Sequence, residues 1–136
     1  MGMLRTLPLL LALLGTGAYA SNVVVIGHPS LARVDSTTVQ KIFTGRISEL
    51  DGLPVTAINS SAGSSIRARF LHIFLSQDED KYIAYWTVRR YIGKGVPPRE
   101  FATSADIISF VQNTPGAIGY IDEADLKPGL NVLLRK

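Results

Sequence analysis

Val55-Thr56-Ala57-Ile58-Asn59-Ser60-Ser61-Ala62-Gly63-Ser64-Ser65-Ile66-Arg67-Ala68-Arg69-Phe70 runs from an alternating apolar segment through a Ser/Gly-rich break into an apolar stripe. In an extended chain Val55, Ala57 and Asn59 fall on one face, which reads as a strand. Ile66, Phe70, Ile73 and Phe74 recur at helical spacing and predict a helix over about 64–76. Strand, loop and helix in that order form part of a crossover unit, so this stretch decides for an α/β fold.

Working outward towards the N-terminus, Gly52-Leu53-Pro54 reads as a turn. Asp35, Ser36 and Thr37 offer N-cap oxygens, and Thr37 with Gln40 has capping-box spacing ahead of Val39, Ile42 and Phe43, which predicts a short helix ending near Gly45. The β-branched run Asn22-Val23-Val24-Val25-Ile26-Gly27 opens the domain as a buried strand.

Towards the C-terminus, Asp78-Glu79-Asp80 places negative charge at the start of a helix that carries Ile83, Trp86 and Arg90 on one side and closes at Gly93 and Gly95. Gly95-Val96-Pro97-Pro98 is extended, because proline disfavours helix in the residue before it. Thr103 and Asp106 then start a helix running to about Asn113 with Ile107, Ile108 and Val111 on its apolar side. Pro115-Gly116 turns the chain into the strand Ala117-Ile118-Gly119-Tyr120-Ile121, with close backbone approach at Gly119, and Val132-Leu133-Leu134 supplies the last strand. The expected architecture is a sheet with right-handed crossovers and helices packed on its faces.

The chain has 136 residues, 46% hydrophobic and 18% charged, enough for one core. With no cysteine it has no disulfide, thiolate metal site or cysteine nucleophile, and its 2 histidines make zinc chemistry unpromising. Its 14 Lys and Arg against 11 Asp and Glu give a formal +3, scattered rather than clustered, which argues against nucleic acid as a partner. Arg5, the apolar run Leu7 to Leu14, and Ala18-Tyr19-Ala20 form the three parts of a secretory signal peptide over residues 1–20. A membrane span needs roughly 20 continuous apolar residues, whereas this run is interrupted at Pro8, Gly15, Thr16 and Gly17. The expectation is a free periplasmic domain of residues 21–136.

The loop after the central strand is where chemistry concentrates. A helix N-terminus offers unpaired amides and partial positive charge; Gly63 permits close backbone approach, and Ser64 and Ser65 add hydroxyls beside Arg67. These are the parts of an oxyanion cradle, and the candidate ligand-binding residues are Ser61, Gly63, Ser64, Ser65 and Arg67. The same spacing also fits a plain helix cap at Ser64 with Arg67 and Arg69 facing solvent. The loop lacks the Gly-Lys-Ser/Thr ending of a nucleotide-binding loop, and the chain has no Gly-x-Ser-x-Gly elbow. His28 and His72 read as surface or packed residues, and the acids at 78–80 as helix-dipole partners rather than calcium ligands. Tyr82, Tyr85, Trp86 and Tyr91 form an aromatic helix that reads as core or as a stacking platform. No catalytic residue, cofactor or metal is expected.

Val39-Gln40-Lys41-Ile42-Phe43-Thr44-Gly45-Arg46 and Thr114-Pro115-Gly116-Ala117-Ile118-Gly119-Tyr120-Ile121, with Trp86, Tyr91-Ile92-Gly93-Lys94-Gly95 and Pro97-Pro98 between them, resemble phosphate ABC transporter substrate-binding proteins of the type 2 periplasmic-binding-protein superfamily, in particular short single-domain members. The resemblance runs from about Val23 to Leu134. It implies a single periplasmic-binding-protein-like lobe with a mixed sheet, and phosphate or a similar oxyanion as ligand. In the larger members the anion lies between two lobes, held by main-chain amides, Ser/Thr hydroxyls, an arginine and an acid, and one Ser/Thr-rich loop follows the first strand. Here that strand leads into His28-Pro29-Ser30, and the long first-lobe insertion is missing. Gly63-Ser64-Ser65 matches the family's second loop; Ser64 and Ser65 would donate to the anion and Arg67 would pair with it, with no residue assigned to the acid.

Two functions follow as expectations. The first is a solute-binding module for phosphate or a related oxyanion, linked to ABC-type transport. The second is an envelope accessory protein that keeps the fold and uses its Pro-Pro loop and aromatic helix to contact another exported component. A single lobe cannot close by hinge motion, so the first reading calls for a permease, another envelope protein or a second copy in a homodimer to complete the site.

Overall fold

The computed structural model describes residues 2–3 and 22–136; the expected signal peptide, residues 2 and 3 apart, lies outside the described residues. In chain order the elements are β1 (Val23–Gly27), α1 (Ser36–Phe43), β2 (Glu49–Leu50), β3 (Leu53–Pro54), β4 (Thr56–Ser60), α2 (Ser65–Phe70), α3 (Glu79–Tyr91), β5 (Arg99–Phe101), α4 (Ser104–Asn113), β6 (Ala117–Asp122) and β7 (Asn131–Arg135). A π-helical turn, Leu71–Leu75, extends α2. The sheet order is β5-β4-β6-β1-β7. β4 runs parallel to β5 and β6, and β1 runs antiparallel to β6 and β7, so the sheet is mixed as expected.

Strand alternation sends side chains to two separate layers. Val23, Val25, Ile118 and Tyr120 meet α1, the α2 segment and α3 through Phe43, Phe70, Phe74, Tyr82 and Trp86. Val24, Ile26, Ile58, Ala117 and Ile121 meet Ile107, Ile108 and Val111 of α4. At Gly119 an added Cβ would fall 2.9 Å from Ile58 and 3.0 Å from Ile107, which is the close approach the sequence predicted. Gly116 adopts a left-handed φ of 78°, and a Cβ there would stand 2.2 Å from the Pro54 carbonyl oxygen, so a side chain is excluded on both counts.

Several expectations are corrected. Of the N-cap oxygens offered by Asp35, Ser36 and Thr37, it is Asp35 and not the Thr37 of the capping-box spacing that caps α1, accepting from the Thr38 amide at 2.7 Å; its carboxylate is held below its usual range by the Thr38 side chain first and by that amide second. The expected turn at Gly52-Leu53-Pro54 belongs to a small β2–β3 hairpin. The fully buried stripe on the second helical segment is Arg67, Phe70, Leu71, Phe74 and Leu75, with Ile66 and Ile73 only partly buried. On α3, Tyr82 and Trp86 face the core, while Ile83 is 47% exposed. Other caps follow expectation: Asp78 accepts from Lys81 N at 2.8 Å and Thr103 from Asp106 N at 3.1 Å.

Candidate functional site

β4 delivers the loop. Its parallel pairing with β5 places Asn59 opposite Glu100 and Ser60 opposite Phe101, and the Ser61 amide continues the pairing to the Phe101 carbonyl at 3.2 Å. The chain then turns through Ser61–Ser64, closed by a Ser64 N–H bond to the Ser61 carbonyl at 3.1 Å. Ser64 is the N-cap of α2 and accepts from the Arg67 amide at 3.3 Å. Gly63 and Ser65 are exposed and Ser61 is half-buried.

Arg67 does not face solvent. Its side chain is 6% exposed, donating from Nε to Glu79 Oε2 at 2.9 Å and from Nη1 to Glu100 Oε1 at 3.2 Å. Nη1 also reaches the Ser60 carbonyl at 3.3 Å, and the guanidinium carbon lies 5.2 Å from the Tyr82 ring centroid. Glu79 sits in the first turn of α3, so it serves Arg67 as well as the helix dipole. Glu100 Oε1 accepts a second bond, from the Ala62 amide at 2.6 Å. One carboxylate oxygen is therefore gripped by a loop amide and a guanidinium. Arg69, in the same helix, pairs with Asp122 at the end of β6.

Beneath Arg67 lies a buried polar chain. Tyr82 donates to the Phe43 carbonyl at 2.8 Å and accepts from the Asn59 amide group at 3.1 Å; Tyr120 donates to Asn59 Oδ1 and accepts from the Ser60 amide at 3.1 Å. Every polar end meets a partner, the condition under which a buried network stabilises. Burial pushes the Tyr82 hydroxyl up to about 12, offset in part by a polar contact from Trp86 and by the Arg67 charge. Burial drives Tyr120 upward too.

Above Arg67 an open cleft of about 200 Å³ separates α3 from the Pro97-Pro98 loop. Ala62, Arg67 and Glu100 form its floor, and Ile83, Trp86, Arg90 and the two prolines its sides. The side of α3 that carries Ile83, Trp86 and Arg90, expected from spacing, is the side that lines this cleft.

Of the candidate residues after the central strand, Arg67 lines this cleft; Ser61 and Gly63 flank Ala62, which lines it too, Ser64 borders a separate cavity with Ser60 and Ser104, and the loop after the first strand joins none of them. β1 is antiparallel to β6 with Gly27 beside Ile118, and β6 is parallel to β4 with Ile118 beside Ala57. His28-Pro29-Ser30 therefore leaves the sheet at the end where β4 begins, opposite the end where Ser61–Ser65 leaves it. There Ser30 Oγ bonds His28 Nδ1 at 2.7 Å. Sequence reasoning missed Glu100, whose strand has only 3 residues and follows two prolines, and Glu79's second role. For Arg67 a signal existed: residues 67, 70, 71 and 74 share one helical face.

The fold is shared with solved phosphate-transport receptors. A protein from Clostridium perfringens, assigned as a phosphate ABC transporter substrate-binding protein and solved with bound phosphate, superposes with a TM-score of 0.64 at 19% identity over 84% of this chain and 45% of its own. An ABC-type phosphate transport receptor from Vibrio cholerae gives 0.63 at 10% identity over 84% of this chain and 47% of its own. PstS from Borrelia burgdorferi gives 0.61 at 16% identity over 83% and 47%. The chain thus spans less than half the length of each of these structures. No protein-family model and no curated protein matches the chain.

Proposed function

We propose that the protein is a non-catalytic binding module for phosphate or a related oxyanion, exported to the periplasm by a leader at residues 1–20 and serving ABC-type phosphate transport. The observation that carries this reading is the convergence of the Ala62 amide and the Arg67 guanidinium on one oxygen of Glu100, at 2.6 and 3.2 Å. A carboxylate is itself an oxyanion, and charge-assisted donors set for one suit another. Glu100 is 46% exposed and has room to swing outward, leaving its place to a solute anion. In this reading Arg67 and the loop at Gly63 grip the ligand, and Ser61, Ser64 and Ser65 add hydroxyl donors; Ser64 can do so while still capping α2. The fold likeness to a protein solved with bound phosphate supports the choice of anion. In this reading a permease, another envelope protein or a second copy as homodimer covers the bound anion.

The test is thermal unfolding with phosphate, sulfate and chloride at matched ionic strength. Phosphate at about 100 times its Kd should add about 2.7 kcal/mol, or roughly 10 °C in midpoint for a domain of this size. Glu100→Gln should enlarge the shift, because the internal competitor loses its charge, and Arg67→Lys should shrink it. No shift up to millimolar phosphate in either the parent or Glu100→Gln overturns the reading.

A second reading, an envelope accessory protein without a solute, is favoured by one surface. The stretch from Lys81 to Arg99 contains Arg89, Arg90 and Lys94 and no acid. It also exposes Val88, Tyr91, Ile92 and Val96, Tyr91 by 89%. Apolar side chains concentrated in this way mark contact surfaces. Co-purification of one envelope protein, lost on Tyr91→Ser and indifferent to phosphate, would favour this account.

A further inference from the structure

We propose that the cleft beside α3 takes an organic oxyanion, a phosphonate or phosphate monoester with a compact apolar body, in preference to inorganic phosphate. The inference rests on reading the corner at Ala62, Arg67 and Glu100 as an oxyanion seat, and it names the ligand class of that seat. Three observations lead to it.

The first is the lining. Above the seat the walls are Ile83, Trp86, Pro97 and Pro98, and the cleft holds about 200 Å³. At about 30 Å³ per water that is room for several waters, more than one tetrahedral ion fills, so inorganic phosphate would leave the apolar walls wet. A ligand with an apolar body covers them. Ligand sites generally pair apolar walls with a few placed polar groups in this way.

The second is the state of the two arginines. Arg67 is paired with both Glu79 and Glu100, which leave that corner with a net negative charge until Glu100 swings outward. Arg90, at the rim of the same cleft, is exposed and makes no ion pair among the described residues. With Glu100 swung outward, Arg67 and Glu79 balance each other, and the positive charge of Arg90 stands beside the apolar walls, one helical turn from Trp86. An anionic head drawn between Arg90 and the seat has its body laid against Trp86 and the prolines.

The third is Ile83, 47% exposed on a helix that gives Tyr82 and Trp86 to the core. Its exposure is directed into the cleft, where a ligand's apolar body would cover it.

Trp86 is the chain's single tryptophan and lines this cleft, so its fluorescence reports on it. The full chain would be titrated with phenylphosphonate, inorganic phosphate and benzyl alcohol while Trp86 emission is followed, with midpoints of unfolding measured in parallel. The expected result is a saturable change with phenylphosphonate at a Kd at least tenfold below that of phosphate, and none with benzyl alcohol. Arg90→Gln, a rim substitution, should weaken phenylphosphonate at least tenfold without changing the ligand-free midpoint, and Ile83→Ser should weaken phenylphosphonate but not phosphate. Equal affinity for phosphate and phenylphosphonate, or indifference to Arg90→Gln, overturns this inference while leaving the phosphate reading standing. Binding of neither anion overturns both, and equal binding of benzyl alcohol shows an apolar crevice with no anion selectivity.

Discussion

The two faces of the sheet are built differently. The face covered by α4 is dry: its buried members are Val24, Ile26, Ile58, Ile107, Ile108, Val111, Ala117 and Ile121, all aliphatic, with Phe101 and Phe110 at the margin. The face covered by α1, α2 and α3 is aromatic and encloses polar groups. Phe70 stacks on Tyr120 with ring centroids 3.8 Å apart, and Asn59, Tyr82 and Tyr120 hydrogen-bond beneath the buried Arg67. The first face stabilises by burial alone. The second accepts the cost of buried polar atoms, and there Arg67, Ala62 and Glu100 line an open cleft. Site and polar core belong to the same layer because the network fixes the end of β4, from which the loop departs.

This contrast can be broken from either side. The largest expected loss is on the dry face: Ile58→Ala should cost about 2–5 kcal/mol by cavity formation, measured by denaturant unfolding, with the Kd of any bound anion unchanged in the protein that remains folded. On the polar face Tyr120→Phe leaves the Ser60 amide and Asn59 Oδ1 unpaired, a loss of about 2–4 kcal/mol. Unlike Ile58→Ala, it should also weaken anion binding by loosening the loop.

An alkaline titration sharpens the contrast further. The unfolded tyrosine ionises near 10 and folded Tyr82 near 12, so between these values the unfolded chain binds fewer protons and stability must fall as pH rises. The contribution is intact below about pH 10, and the loss reaches about 2–3 kcal/mol near pH 12. Tyr82→Phe should reduce that slope, with buried Tyr120 carrying the remainder, whereas Ile58→Val should leave it unchanged. The smallest effect is at the start of α3, where Asp78→Ala removes a cap contact of 2.8 Å and should cost about 1 kcal/mol.

Much of this organisation was legible in the chain. β1, α4 and β6 follow from local apolar periodicity, and Gly119 announced its close contact. The dry face was the more readable because aliphatic alternation is a local signal. The site was only half readable: the loop from Ser61 to Ser65 stands out, but Glu100 comes from a short edge strand whose pairing with β4 is non-local and which follows two prolines. Arg67 was read as a solvent-facing alternative because arginine is seldom buried, although it lies on the stripe with Phe70, Leu71 and Phe74. The antiparallel course of β1, which carries Ser30 away from the site, depends on sheet order and leaves no trace in periodicity.

The most direct test is a phosphate titration followed residue by residue through amide and arginine side-chain NMR shifts. The account predicts saturable movement at Ala62, Gly63, Ser65 and the Arg67 Nε–H, with Ile107, Ile108 and Val111 of α4 unmoved. No saturable shift up to millimolar phosphate, or shifts confined to α4 or to His28-Pro29-Ser30, would contradict it.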